Sequence, residues 1–255
     1  MERFAGRKVI VSGGGSGIGR ATILRLLAEG GEVVSLDVSA DGLAGTREAA
    51  DARGLGARLT DQVVDIGDPA AVETVVKKAT AGGLDVLVNA AAIQIVGHTH
   101  EVELDDWNRV IAINLTGTFT VIRAALPALL DSGHGVIVNF TSTAARFAHP
   151  YMAAYAASKG GVLSLTHSLA LEYAGQGLRA VNIQPGGVAT PLAERSYSSM
   201  PADFDPRLWV KQAPILAGGS LADPASVAAV VAMVASDDGA AITGTEIRVD
   251  SGAHA

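Results

Sequence analysis

Tyr155 and Lys159 stand four residues apart in Tyr155-Ala156-Ala157-Ser158-Lys159, within a stretch of helical periodicity. That spacing puts both side chains on one helix face, about one turn apart. A phenol titrates near ~10 in water, too high for a base at neutral pH. A neighbouring ammonium favours the phenolate and is expected to lower that value. Such a pair can move a proton to or from an alcohol oxygen. The spacing also fits an ordinary amphipathic helix with an exposed Tyr and Lys, so the surroundings decide. Upstream, Ser142 ends the apolar run Val136-Ile137-Val138-Asn139-Phe140-Thr141-Ser142.

A second constellation lies near the start. The run Lys8–Ser12 leads straight into Ser12-Gly13-Gly14-Gly15-Ser16-Gly17-Ile18-Gly19, and a helical pattern follows. A glycine-rich turn between strand and helix lets backbone N–H groups approach a pyrophosphate, and the helix N-terminus adds partial positive charge. Tight turns also use glycine, but the strand before and the helix after favour phosphate binding. The next strand ends at Asp37, followed by Val38. A carboxylate there accepts hydrogen bonds from ribose hydroxyls and repels a 2′-phosphate. No basic residue stands at Ser16 or Val38 to offset that repulsion, so the expected coenzyme is NAD. The alternative for Asp37 is a turn or helix-capping residue.

These residues need a scaffold. Short apolar runs at Lys8–Ser12, Val33–Asp37, Arg58–Asp65, Val86–Ala92, Gly135–Ser142, Arg179–Gln184 and Glu246–Asp250 read as buried strands. Helical patterns fall at Gly17–Glu29, Asp41–Ala52, Pro69–Thr80, Asp105–Asp131, Tyr151–Tyr173 and Pro224–Ala235. The alternation predicts one α/β domain over residues 1–255, a doubly wound, Rossmann-type, seven-stranded parallel sheet with helices on both faces. Ligands of such sheets sit beyond the C-terminal strand ends. Gly13, Asp37, Asp65, Asn89, Ser142 and Gln184-Pro185-Gly186 all fall there. The proline-rich stretch 191–220 breaks the alternation and reads as a lid or binding loop, because Phe204, Leu208 and Trp209 would be awkward in free solution; the alternative is a disordered surface excursion.

Taken together, these motifs resemble the short-chain dehydrogenase/reductase family over essentially the whole chain. The residues carrying the likeness are the Ser12–Gly19 loop, Asp65, Val88-Asn89-Ala90-Ala91-Ala92, Asn114, Ser142, Tyr155 with Lys159, Pro185-Gly186, Thr190 and Ile242-Thr243-Gly244. The resemblance implies that Tyr155 is the general acid/base, that Lys159 holds the nicotinamide ribose and tunes it, and that Ser142 bonds the substrate oxygen. It implies that Asn114 anchors a water linking Lys159 to solvent; the alternative is a polar residue that bends a long helix. Coenzyme contacts are expected from Gly13, Ser16, Gly17, Ile18, Gly19, Asp37, Val38, Asp65, Ile66, Asn89, Ala90, Ala91, Pro185, Gly186, Val188 and Thr190. Substrate contacts are expected from Ile93, Gln94, Thr143, Ala144, His149, Tyr151, Gly187, Leu192, Trp209 and the segment after Pro191. Two departures stand out: Ser12 where the family usually has Thr, and Ala92 where it usually has Gly, which could narrow the pocket.

The expected reaction exchanges a hydride between NAD and a secondary alcohol or ketone. A 3-oxoacyl thioester reductase ranks second, since such enzymes usually take NADPH and present basic residues to an acidic carrier. An idle NAD-binding module would be expected to lack Tyr155, Lys159 or Ser142, and all are present. Composition narrows the partners further. The net charge of −7 offers no basic stripe for nucleic acid. With no Cys, disulfides and thiolate chemistry are excluded. His98 and His100 read as solvated loop residues, and no metal site is expected. No targeting segment or membrane span is recognisable, so a cytoplasmic protein is expected. The resemblance also implies a homotetramer, with Asp105–Asp131 and Tyr151–Tyr173 as contact surfaces.

Overall fold

Alternating apolar runs produce alternating elements in the computed structural model, which describes residues 2–209 and 212–254. Seven strands, β1 (Lys8–Ser12), β2 (Glu32–Asp37), β3 (Leu59–Val63), β4 (Val86–Asn89), β5 (Val136–Phe140), β6 (Arg179–Pro185) and β7 (Glu246–Val249), form one sheet in the order β3-β2-β1-β4-β5-β6-β7. Every pairing is parallel. The central strands β4 and β5 are buried at every position, as a sheet covered on both faces requires.

Two helical layers supply the covers. On one face α1 (Gly17–Ala28) and α8 (Pro224–Ala235) bury Ile23, Leu26, Leu27, Val227 and Val231 against Val9, Val11, Val88 and Val138. On the other, α3 (Pro69–Ala79), α5 (Thr118–Asp131) and α6 (Ala153–Tyr173) bury Val72, Val76, Ile122, Leu129 and Leu169 against Ile10, Leu87 and Ile137. Helix α2 (Ala40–Asp51) flanks β2 and β3. Helix starts follow side-chain chemistry. Asp68 and Asp223 accept bonds from first-turn N–H groups, each followed by a Pro at the first helical position, where its fixed φ and missing N–H cost nothing.

The expected single helix Asp105–Asp131 is a composite. Helix α4 (Leu104–Ile111) passes through a π-helical segment, Ala112–Gly117, into α5. This 28-residue run has a window of mean hydropathy 1.4, long and apolar enough to cross a membrane by length and composition. Polar residues interrupt it throughout, so no unbroken apolar run marks it in the sequence. Burial of Val110, Val121, Ile122, Ala125 and Leu129 in the domain accounts for its composition.

The stretch after Pro191 also differs from the expected loop. It opens with helix α7 (Pro191–Ser198), capped by Thr190 Oγ1, and continues through short 3-10 turns at Pro206–Leu208 and Leu216–Gly219. Phe204 and Leu208 are exposed, and of the three aromatic or apolar residues expected to pack inward only Trp209 does so. Side chains and backbone fasten the segment: His98 Nε2 pairs with Asp203 at 2.9 Å, Asp205 N donates to the Tyr151 hydroxyl at 2.9 Å, and Ile215 N and Leu216 N donate to Ser251 O. His98 is thus a tether and not merely a solvated loop residue.

Candidate active site

Strand order reverses beside β1, which has β2 on one side and β4 on the other. A crevice must open there at the C-terminal strand ends, because the connections leave in opposite directions. The β1–α1 loop lines this groove. Gly13 has φ +74°, and a Cβ on it would lie 2.5 Å from Ala91 N; a Cβ on Gly19 would lie 2.0 Å from Gly13 O. Only glycine lets the loop fold this tightly against the β4 exit. Ser16, at the N-cap of α1, makes no side-chain cap, so the helix's first N–H groups, which have no intrahelical acceptor, border the groove. The exposed Arg109 and Arg195, not singled out from sequence, also line it.

Asp37 stands at the far end of this groove. Its carboxylate accepts from Gly15 N at 2.8 Å and Ser39 N at 2.9 Å, which ties the glycine loop to the end of β2. The Arg20 guanidinium in the same corner is held by Gly15 O, Gly42 O and Thr46 Oγ1. Val38, Asp65, Ile66, Ala90, Ala91 and Ile93 complete the walls with Ser16, Gly17 and Ile18. A dinucleotide fits this donor set: uncapped N–H groups and guanidinium charge for a pyrophosphate, and a carboxylate for ribose hydroxyls.

A second cavity of about 160 Å³ adjoins the groove, sharing Ile18, Ala90, Ala92, Thr190 and Leu192 with it. Tyr155, Lys159 and Ser142 meet at its wall. Tyr155 is only 8% exposed, and the Ser142 hydroxyl is near enough to pull its pKa down. Ser142 Oγ also accepts from Ala144 N at 3.1 Å. Lys159 Nζ donates to Phe140 O at 2.7 Å and lies 5.7 Å from the Tyr155 ring centre. Burial pushes the phenol up to about 12, against a downward pull from Ser142, and lowers Lys159 to about 8. The expectation that the ammonium lowers the phenol's pKa is therefore not met by these protein groups alone: burial of the phenolate dominates, and Ser142 supplies the opposing pull.

The remaining candidates fall into place unevenly. Gln94, Thr143, His149, Gly187, Leu192, Trp209, Pro185, Gly186, Val188 and Thr190 line the cavity. Thr190 Oγ1 accepts from Ala193 N, so its hydroxyl caps α7. Three residues sit elsewhere than expected. Asn89 turns into the sheet, where its Nδ2 donates to Asn139 Oδ1 at 2.8 Å; neighbouring strands β4 and β5 place the two side by side. Ala144 packs beneath the site with Met152 and Tyr155. Tyr151 spends its hydroxyl on the Asp205 backbone.

Asn114 is fully buried in the π segment. Its amide bonds both Ile93 N (2.8 Å) and Ile93 O (2.9 Å) and donates to Ser158 Oγ at 3.1 Å. It thereby pins the β4 exit to α6 and acts as a positioning residue, with no direct bond to Lys159. Sequence reasoning missed Asn139, whose Nδ2 donates to Thr166 Oγ1 at 2.8 Å, and His254, which lines the cavity; Gln212, also on its wall, belongs to the segment after Pro191 that was expected to contact substrate. A polar residue amid β5's apolar run was the one visible signal for Asn139. Gln212 and His254 reach the site through tertiary folding alone.

A doubly wound sheet with a glycine loop at its switch point and a Tyr–Lys–Ser cluster beside it defines the dinucleotide-binding class of α/β proteins. The family model described as short chain dehydrogenase matches residues 7–201. Among curated relatives, 2-(S)-hydroxypropyl-CoM dehydrogenase 3 of Xanthobacter autotrophicus is 35% identical over 98% of both chains. Levodione reductase of Leifsonia aquatica is 32% identical over 99% of this chain and 96% of its own, and a crystal structure of levodione reductase superimposes with TM-score 0.90 over 98% of both chains. Carveol dehydrogenase from Mycobacterium avium, solved with NAD, is 26% identical at TM-score 0.90 over 99% of both chains. A Beutenbergia cavernae structure described as an NAD(P)-dependent gluconate 5-dehydrogenase, with bound NADP, is 30% identical at TM-score 0.88 over 99% and 98%. The chain belongs to the short-chain dehydrogenase family, and is an oxidoreductase of that family.

Proposed function

We propose that this protein oxidises a secondary alcohol with NAD, or reduces the matching ketone. The observation carrying the proposal is the convergence of Tyr155, Ser142 and Lys159 on the wall of a cavity that adjoins the dinucleotide groove, with Lys159 Nζ 5.7 Å from the Tyr155 ring centre. Ser142 holds the alcohol oxygen, and Tyr155 accepts its proton as the C–H hydride departs. Bound NAD⁺ would supply the hydride acceptor and a positive charge near the phenol. Lys159, anchored on Phe140 O, adds its ammonium to that field, and Asn114 keeps α6 in register with the β4 exit. The overall balance is R₂CHOH + NAD⁺ ⇌ R₂C=O + NADH + H⁺.

Asp37 favours NAD over NADP, since a 2′-phosphate at its carboxylate meets like charge and Arg20 is committed to backbone carbonyls. Related structures carry either coenzyme. The segment from Pro191 acts as the lid, contributing Leu192, Ala193, Ser196, Tyr197, Trp209 and Gln212 to the cavity. The protein assembles as a homotetramer through its two long helical runs, which leave Leu104, Trp107, Phe119 and Leu171 exposed; light scattering tests this. The reaction is tested by absorbance at 340 nm with NAD⁺ and NADP⁺ over a panel of alcohols, polyols and hydroxy acids. NAD⁺-dependent turnover is expected; comparable rates with NADP⁺ refute the role given to Asp37.

A further inference from the structure

Beyond the proton-transfer trio, residues that line the cavity carry buried polar atoms left unsatisfied among the described residues. Trp209 Nε1 and Gln212 Nε2 are buried atoms with no hydrogen-bond partner among the described residues, and both residues line the cavity. Gln212 N donates to Trp209 O at 2.9 Å, so one turn of the lid delivers both donors. Gln94 adds a third: its Nε2 meets only the Met152 thioether, at 2.8 Å, a weak acceptor. Buried donors in folded proteins nearly always have acceptors. Three underused donors around one apolar cavity are accounted for if a ligand brings the acceptor.

We infer that the substrate carries, besides its reacting oxygen, a second and uncharged oxygen acceptor held by Trp209 and Gln212, which makes these two residues specificity determinants. The inference rests on the alcohol-oxidising reading above.

The charge of the second group follows from the cavity's own charges. Among the described lining residues, Lys159 is the one Lys or Arg, and its amine is held by Phe140 O within the proton-transfer trio. His149 is kept neutral, because burial lowers it to about 4, and burial lowers His254 as well. A carboxylate or sulfonate at the lid would lose its hydration and find no counter-charge. A hydroxyl or carbonyl meets no such penalty. Met152, Val188 and Leu192 supply apolar wall. The class is therefore a compact neutral diol, hydroxyketone or diketone.

Matched pairs provide the test: cyclohexanol against 1,4-cyclohexanediol, and butan-2-ol against butane-2,3-diol and 3-hydroxybutan-2-one. The wild type is expected to prefer the doubly oxygenated member of a pair by about tenfold or more in kcat/KM. Trp209→Phe and Gln212→Met, which keep most of the apolar volume, should each erode that ratio about tenfold, equivalent to ~1.4 kcal/mol. The ratio within a pair is the readout, so a general loss of activity does not imitate the effect. Absence of any preference in the wild type overturns the inference. So does an equal loss on both members, or a preference for a hydroxy acid over its neutral analogue. Turnover of no alcohol with either coenzyme sinks the alcohol-oxidising reading itself.

Discussion

Removing the charge of Asp37 while keeping its shape should change the coenzyme preference by a factor that can be worked out. Asp37→Asn retains one acceptor oxygen for the bonds that tie Gly15 N and Ser39 N to the end of β2. It deletes the negative charge a 2′-phosphate would face. Two unit charges ~4 Å apart interact by about 4 kcal/mol at the effective dielectric of ~20 typical near a protein surface. Asp37 is half-buried, so salt and water reduce this to about 2–4 kcal/mol, roughly 30- to 1,000-fold. Loss of one loop-tethering bond weakens both coenzymes alike and cancels in the NADP⁺/NAD⁺ ratio of kcat/KM. That ratio, measured at low salt and again at ~0.5 M, should rise in the variant, and the rise should shrink with salt. An unchanged ratio, or a rise indifferent to salt, refutes the electrostatic argument.

Tyr155→Phe removes the one phenol hydroxyl at the cavity wall beside Ser142 and Lys159; turnover should fall ~10²–10⁴-fold, with coenzyme affinity by calorimetry retained. Asn139→Leu strands Asn89 Nδ2 inside the protein and removes the donor to Thr166 Oγ1, which keeps its bond to Val162 O, and should cost about 1–3 kcal/mol in urea denaturation; a loss below ~0.5 kcal/mol would contradict a structural role for the network. His149 is held at about 4, below its ordinary 6.5. The unfolded chain therefore takes up a proton that the folded ring resists, and stability falls as pH drops from 6.5 towards 4, levelling below. The ceiling is about 3 kcal/mol, reduced by the ring's residual exposure. His149→Gln should flatten this portion of the curve, and an unaltered curve would refute the assignment.

Order and type of elements were legible because a parallel sheet buried on both faces demands predominantly apolar strands, and the short runs at β1, β4 and β5 supply them. The glycine loop and the Tyr155–Lys159 pair were legible because local spacing alone fixes their geometry. Direction of the side chains was not. Asn89 ends its strand as anticipated, but whether its amide faces the groove or β5 depends on Asn139, fifty positions away. Helix α7 was obscured by prolines, although Thr190-Pro191 is itself a helix-starting pair once the cap is recognised. The phenol's raised pKa was missed because the sequence reveals the adjacent ammonium and not the depth of burial around both.

The π segment at Ala112–Gly117 has a consequence for how this chain tolerates length changes. A wider turn means that one more residue is accommodated than an α-helix would hold, so the surfaces before and after it are out of phase by roughly 100° relative to an unbroken helix. Asn114 reaches both Ile93 and Ser158 from within that offset, while Gly117 approaches so closely that a Cβ would lie 2.8 Å from Ile66 O. Deleting a single residue there would restore a regular helix of ordinary hydrogen bonding and yet rotate one half of it against the other. Here the count of residues, as much as their identity, carries information the catalytic apparatus depends on.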